Sequence, residues 1–419
     1  MKRLRRRTLI SVLLAMVLAV GVAFFCIKLV RNGDDWVGFF GTKYYSSGAI
    51  YDANGTVLYD GQTKTYAENA KTRIATLHLV GDENFGTSLR SVLASRLTGY
   101  NFVTGTSLGS HDVTLTVDAS LNETAYAALN GHKGVVAVYD YTTGAVKCLV
   151  SAPSYDPNNP PSNIDGNPTY DGVYLNRFFS GTFPPGSTFK LVTTAAAIEQ
   201  KKDLSEFRYS CTGKLQVGDD VITCPYAHGE MDLYDALARS CNCAYAQLAV
   251  ELGGGTLAQY AEKAGLTQSF SVSGISAAAG QFTAGQGADL GWSGVGQYDD
   301  LVTPCAFLRV LGSLAGGKTV GPRLVYQETT MHGIPLPGDG APSLKAPFDA
   351  DTCRVLRDMM RNNVQQTYGQ SMFGSLAVCA KSGTAEAAPG QSPHAWVAGF
   401  VAAEGLPLAF VVLVQNGGG

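Results

Sequence analysis

Residues Thr8 to Ile27 (TLISVLLAMVLAVGVAFFCI) carry no charge. As a helix, a run of that length rises ~30 Å, the depth of the hydrocarbon layer of a bilayer. Lys2, Arg3, Arg5, Arg6 and Arg7 precede the run, and Asp34 and Asp35 follow it. This asymmetry predicts a single-pass anchor in the cell membrane, with the N-terminus cytoplasmic and the rest of the chain outside. A cleaved signal peptide has a shorter apolar stretch, ~7–15 residues, and a small-residue exit. Here the run leaves through Phe24, Phe25, Cys26 and Ile27, all bulky, so the reading is an anchor.

The charge balance follows from that segment. Six basic residues and no acidic ones lie in the first 30 positions, out of 31 basic and 34 acidic in the chain. The remainder is therefore acidic on balance. Such a surface does not suit nucleic acid, whose phosphates need basic contacts. With 45% apolar and 16% charged residues, the 419-residue chain is that of a folded protein of two or three domains, not a disordered tail or a collagen-like repeat.

The local pattern is mixed. SGAIYDANGTVLYDG (from Ser47) reads as two strands around an Asn54-Gly55 turn, after a short juxtamembrane stretch over residues 31–45. Asn84–Thr98 reads as a short helix, Asp112–Asp118 as a half-buried strand, and Ala119–Leu129 as a helix capped by Ser120. Gly134–Asp140 and Ala145–Ser151 form a hairpin, followed by a Pro/Asn-rich loop from Pro153 to Pro168. Helices are expected over Thr188–Glu199, 231–252 and 302–315, and strands over Leu376–Lys381, His394–Ala402 and Leu406–Gln415. Strands at both ends with helices between them imply one mixed sheet covered by helices.

Two motif matches fail on context. Gly312 to Thr319 (GSLAGGKT) has the letters of a phosphate loop, but a helix precedes it and Val320-Gly321-Pro322 follows, so it reads as a helix end with its glycine cap. Gly105 to Gly109 (GTSLG) has the letters of a hydrolase elbow, but a strand follows where a helix is required. The six histidines show no i,i+4 pair and the nine cysteines no C-x-x-C pair, so no metal site and no cofactor is expected. Cys211 and Cys224 flank a polar stretch with turn signals, compatible with a bridge across a hairpin or with two free thiols.

The chemistry is concentrated in Phe183-Pro-Pro-Gly-Ser187-Thr-Phe-Lys190. Two prolines and a glycine fix the start of a helix, which places Ser187 at its N-terminus, where the dipole favours negative charge. Lys190, three residues on, shares that face. A serine needs a base to act as a nucleophile, and a lysine is a base only when burial or a nearby cation makes it neutral. S-x-x-K alone is weak. Ser240-Cys241-Asn242 and Lys381-Ser382-Gly383-Thr384, the latter on a C-terminal strand, add S-x-N and K-[ST]-G elements in the order that marks penicillin-binding proteins and serine β-lactamases.

With these residues the chain resembles a class B penicillin-binding protein, a membrane-anchored peptidoglycan D,D-transpeptidase. LNRFFSGTFPPGSTFKLVT (from Leu175), HGEMDLYDALARSCNCAYAQLA (from His228), VGQYDDLVTP (from Val295), AKSGTAE (from Ala380) and HAWVAGF (from His394) carry the likeness. SGAIYDANG (from Ser47) looks like the family's juxtamembrane element, with Ser47 and Ala53 where that element usually has arginine. The resemblance implies an α+β fold, a mixed and mainly antiparallel sheet flanked by helices, with a smaller N-terminal domain and one transmembrane helix. It divides the chain into a cytoplasmic tail (1–7), the membrane helix (8–30), a non-catalytic pedestal (31–116) and a transpeptidase domain (117–419).

It further implies that Ser187 attacks the D-Ala-D-Ala carbonyl of a stem peptide and that Lys190 takes its proton, its pKa lowered by the charge of Lys381. Ser240 relays a proton to the leaving group, and Asn242 binds the substrate amide and places Lys190. The N–H groups of Ser187 and Thr384 form the oxyanion hole, and Lys381, Ser382 and Thr384 bind the terminal carboxylate. Gly383 stays bare because the substrate lies along that strand as an added strand. β-Lactams are the implied inhibitors. With no room for a second catalytic domain, a polytopic membrane glycosyltransferase is the implied partner, in a role in cell shape or division. Relatives usually continue past Asn416-Gly417-Gly418-Gly419 with a helix over the sheet, so either the chain is truncated here or another element covers that face. The alternatives are a D,D-carboxypeptidase or β-lactamase, and a non-catalytic β-lactam sensor or divisome scaffold.

Overall fold

The computed structural model describes residues 2–44, 46–101, 106–107, 109–201, 204 and 206–418. The first helix runs Lys2–Tyr44 and includes a 25-residue span, Arg7–Arg31, long and apolar enough to cross a membrane and not buried against the rest of the chain. The helix does not end at residue 30, where the juxtamembrane stretch was expected to begin. Between Thr8 and Tyr44 there is no proline to interrupt the hydrogen-bond ladder.

The smaller sheet has six strands. Ala49–Tyr51 pairs antiparallel with Val57–Asp60 across the Asn54-Gly55 turn. Asp52 holds that turn by accepting the N–H groups of Asn54 and Thr56 at 2.9 and 2.7 Å, and it accepts Ala119 N–H at 3.0 Å. On its other side Ala49–Tyr51 runs parallel to His111–Leu115. The outer strands, Val325–Thr330 and Pro335–Pro337, come from far along the chain, so the first 116 residues do not complete this sheet by themselves. The expected helix over Asn84–Thr98 is two short helices, Leu89–Val92 and Ala94–Thr98. The helix Ala119–Ala128 is capped by Asp118, not Ser120, because the carboxylate accepts the N–H groups of Ser120 and Leu121.

The larger sheet is the expected one. Gly134–Asp140 and Val146–Ala152 form the hairpin, and the three C-terminal strands, Val378–Ala385, His394–Val401 and Leu408–Val414, add to it antiparallel. Alternation on Leu408–Val414 buries Ala409, Val411 and Leu413 in the main core, under the helix Pro304–Gly316. On the opposite face Ala119–Ala128 covers the hairpin through Ala125, Cys148 and Val150, while Val397 is 38% exposed. The phosphate-loop letters lie at the end of Pro304–Gly316, where Gly317, at φ +64°, donates its N–H to Ser313 O.

The helix Lys190–Lys201 is the spine of the core, with Leu191, Val192, Ala195, Ala196 and Ala197 fully buried. The region 231–252, expected as one helix, is two: Leu233–Ala238 and Asn242–Leu252. Between them Ser240 takes φ +53°, a left-handed conformation uncommon for a side chain other than glycine or asparagine.

Candidate active site

Ser187 lies in a 3-10 turn, Gly186–Thr188, that leads into the Lys190–Lys201 helix. The turn is held from several directions. Gly186 donates its N–H to Gly296 O at 2.8 Å, Phe183 exchanges backbone hydrogen bonds with Val302, and Trp396 Nε1 donates to Pro184 O at 3.0 Å. Gly186 needs its freedom twice over. Its φ is +53°, and a Cβ there would stand 2.5 Å from Thr384 O.

The Lys190 amine sits at the centre. Its Nζ is 3.0 Å from Ser187 Oγ, 2.7 Å from Ser240 O, 2.8 Å from Asn242 Oδ1 and 3.1 Å from Ser240 Oγ. The carbonyl of Ser240 and the amide oxygen of Asn242 can only accept. A neutral amine has two N–H bonds, which those two oxygens take up, and its lone pair is left for a hydroxyl proton. Full burial pushes Lys190 down to about 7, so the neutral form is within reach at physiological pH.

The sequence reading attributed that shift to the charge of Lys381. Burial is instead the cause, and it is Lys381 that yields to the charge of its neighbour. Lys381 is also fully buried, and desolvation followed by repulsion from Lys190 holds it well below 10.5. Lys381 Nζ donates to Ser382 O at 2.7 Å and to Ser240 Oγ at 3.0 Å. A bound carboxylate would give Lys381 a counter-charge and draw the shared proton to it, leaving Lys190 free to act as base.

The left-handed turn at Ser240 makes this convergence possible. It aims both the carbonyl and the hydroxyl of one residue at the amines. Asn242, the first residue of its helix, is steadied by Nδ2 donating to Thr223 O at 3.1 Å. Thr223 ends the hairpin Lys214–Val217/Asp220–Thr223, so that hairpin braces the asparagine.

The strand Val378–Ala385 forms the opposite wall. Gly383 is bare for a reason beyond the one expected. A Cβ there would stand 2.9 Å from Pro185 O and 2.9 Å from Thr188 Cγ2, so the glycine admits the nucleophile turn whatever lies along the strand. In an antiparallel pair the N–H and C=O of one residue point the same way. The Thr384 carbonyl accepts from Gln297 Nε2 at 3.1 Å at the sheet edge, which turns its N–H to the same edge, beside the Ser187 turn. Ser382 is engaged by Tyr368, whose OH accepts the Ser382 N–H at 2.8 Å and lies 3.0 Å from its Oγ.

All eight residues singled out in the sequence thus surround one point. Tyr368 and Gln297 were missed. Tyr368 belongs to no recognisable spacing, whereas Gln297 lies inside the quoted VGQYDD stretch and could have been taken from it. Glu328, one of three glutamates between Ser240 and Lys381, pairs with Arg96 in the smaller sheet, and the other two, Glu251 and Glu262, are exposed. The nine cysteines are all free thiols, so no bridge joins Cys211 to Cys224. One cluster bears on the expectation of no metal site. Cys211, Cys224, His228 and Cys241 come together in space from separate segments, a gathering that a search for C-x-x-C spacing does not detect.

Comparison with known proteins bears on the family and the fold. Residues 134–419 match the family described as penicillin binding protein transpeptidase domain. The chain is 28% identical over 348 residues to the peptidoglycan D,D-transpeptidase PbpA of Mycolicibacterium smegmatis, covering 76% of this chain and 70% of that protein. Against PbpA of Mycobacterium tuberculosis it is 28% identical over 346 residues, with the same coverage. The fold superposes on the imipenem acyl-enzyme complex of M. tuberculosis penicillin-binding protein A with a TM-score of 0.79 at 24% identity, covering 90% of this chain and 96% of that one. The D,D-transpeptidase domain of a peptidoglycan glycosyltransferase from Eggerthella lenta gives 0.76 at 23% identity, covering 89% and 94%.

Proposed function

The chain belongs to the penicillin-binding protein transpeptidase family, and from that premise we propose that it is a peptidoglycan D,D-transpeptidase acting through a serine acyl-enzyme. Ser187 attacks the carbonyl between the two D-alanines as Lys190 takes its proton. The N–H groups of Ser187 and Thr384 stabilise the oxyanion, each such donor being worth ~3–4 kcal/mol in comparable sites. Ser240, within reach of both amines, passes a proton to the departing D-alanine. Asn242 positions Lys190 and binds the substrate amide. Lys381, Ser382 and Thr384 receive the terminal carboxylate. An amine from a second stem peptide then resolves the ester and cross-links two glycan strands. Penicillin, which presents a carboxylate and a reactive amide carbonyl, acylates the same serine.

One observation carries this reading: a fully buried amine 3.0 Å from the Ser187 hydroxyl, with both its N–H bonds committed to carbonyl oxygens. The apolar span Arg7–Arg31 supports a membrane anchor, and the basic residues before it support a catalytic domain outside. A polytopic glycosyltransferase that makes the glycan is the partner this reading implies. The pedestal (31–116) and transpeptidase (117–419) division is part of the same proposal. Of the three glutamates between Ser240 and Lys381, Glu328 is paired with Arg96 in the smaller sheet and Glu251 and Glu262 are exposed, which favours a long-lived acyl-enzyme over rapid hydrolysis. Intact mass after incubation with penicillin tests the proposal. The wild type is expected to gain one adduct that persists for many minutes and Ser187→Ala none. Adduct on the alanine variant, or turnover within seconds, would refute it.

A further inference from the structure

Beside the Ser240–Asn242 turn, four side chains from separate segments meet. Cys211 ends the strand Tyr209–Cys211, Cys224 follows the hairpin, His228 precedes the strand Gly229–Met231, and Cys241 caps the helix Asn242–Leu252. One ligand atom from each lies within 4.8 Å of all the others. Cys224 Sγ is 3.7 Å from Cys241 Sγ, and Cys211 Sγ is 3.4 Å from His228 Nδ1. Around a tetrahedral zinc ion with Zn–S bonds of ~2.3 Å, neighbouring ligand atoms stand ~3.7 Å apart. Three of the four side chains are buried and Cys224 is half-buried.

A second observation concerns the sulfurs. Each of the three accepts a backbone N–H: Cys211 from Gly213, Cys224 from Cys243, and Cys241 from Ala244, all at 3.4 Å. Donors of this kind stabilise a thiolate and fix its direction, as the outer contacts of metal-bound cysteines do. Cysteine is an unusual helix cap, since that place usually goes to an oxygen side chain. A thiolate would also be favoured there by the dipole of an 11-residue helix. The histidine is held as well, with Arg239 Nη1 donating to His228 O at 2.9 Å.

We propose that Cys211, Cys224, His228 and Cys241 form a structural zinc site that fastens the Ser240–Asn242 turn to the Lys214–Thr223 hairpin. Three thiols and one imidazole make a closed, sulfur-rich, four-ligand set suited to zinc, an ion with no redox chemistry of its own. On binding, each thiol loses its proton to solvent and the imidazole binds in its neutral form. Cys243 stays outside the set, with Sγ 3.4 Å from Cys224 Sγ and donating to Ile222 O at 3.7 Å. The function of the site follows from its place. Cys241 lies between Ser240 and Asn242, so an ion gripping its sulfur would hold the turn from which both residues reach Lys190.

The test uses the detergent-purified full chain, never exposed to chelator. Elemental analysis and native mass spectrometry are expected to find one zinc ion per chain. Cobalt exchanged into the site should give the thiolate-to-cobalt absorption of a tetrahedral centre. Cys211→Ser and His228→Ala should each lose the metal, while Cys148→Ser, a buried thiol elsewhere, should keep it. Removal of zinc should slow penicillin acylation about tenfold or more. If either ligand variant does not fold, the cobalt spectrum of the wild type decides. A wild-type chain that takes up neither metal from stoichiometric solution overturns the proposal. So does a mass lower by two hydrogen atoms with a peptide linking Cys224 to Cys241 or Cys243, the signature of a disulfide. Penicillin adduct is scored on the same sample. Adduct without zinc rejects the metal site alone, and zinc without adduct rejects the transpeptidase alone.

Discussion

Lys190 and Lys381 approach the same hydroxyl from different elements, a core helix and an edge strand, with Ser240 Oγ 3.1 Å from one amine and 3.0 Å from the other. Two buried amines this close cannot both stay charged without cost. The arrangement therefore holds fewer protons than it has places for, and the proton is free to relocate when substrate charge arrives.

The first consequence is a pH profile. Burial holds Lys190 at about 7, so penicillin acylation should rise through neutral pH as the amine deprotonates and level off above it. Lys190→Arg, always charged, should reduce acylation about 10²–10⁴-fold at every pH. The sign for stability is the same. The folded chain releases a proton that the unfolded chain keeps, so the contribution of this group grows as pH climbs from about 7 toward 10.5. Rates measured by stopped flow across pH, with thermal melts in the same buffers, check both.

Asn242→Asp replaces a neutral acceptor, 2.8 Å from the Lys190 amine, with a charged one. A carboxylate there favours the ammonium and should move the acid limb of the profile upward by about 1–3 pH units. Acylation at neutral pH should fall accordingly and recover in alkali. An unshifted limb would mean that another group sets it.

Tyr368→Phe removes the hydroxyl that receives the Ser382 N–H and touches its Oγ. The strand should lose order where the substrate carboxylate is received, at a cost of about 1–3 kcal/mol for the stranded N–H. The effect should appear as weaker pre-covalent binding of penicillin, with the limiting acylation rate little changed. Saturation kinetics separate the two.

Asp300 is 1% exposed, and only the Thr283 backbone N–H works against the cost of burying its charge. Desolvation raises it to about 9. Because the folded value lies above the ordinary 3.8, its protonated form is favoured by folding, and that stability drains away as pH rises from about 4 to 9. Asp300→Asn should melt higher than wild type at pH 8 and show a flatter dependence of melting temperature on pH.

Much of this was legible in the chain because it depends on local chemistry. Pro184-Pro185-Gly186 has to stop regular structure wherever it occurs, and the alternation in the C-terminal strands has to bury one face. The left-handed kink at Ser240 was not legible. The residues from 231 to 252 have the apolar spacing of an uninterrupted helix, and the carbonyl that the break at Ser240 frees is taken up by the Lys190 amine from another element. The reason for the bare Gly383 lay equally out of view, since it depends on Pro185 and Thr188 nearly 200 positions away. The thiol cluster was hidden for a further reason. Its four members are spread over 211–241 at irregular intervals; the pairing of Gly229–Met231 with Tyr209–Cys211 brings His228 to Cys211, and the contacts of Asn242 with Thr223 and of Cys243 with Cys224 bring in the other two.

The smaller sheet ties the two ends of the molecule together. Val325–Thr330, which follows the helix under the larger sheet, is zipped to His111–Leu115, which in turn lies beside Ala49–Tyr51 next to the first helix. A fragment cut at residue 117 would strip that strand of its neighbour and leave a sticky, unpaired edge. In the intact chain His111–Leu115 is paired on both sides, so the base on which the enzyme stands is completed only by a strand made late in the chain.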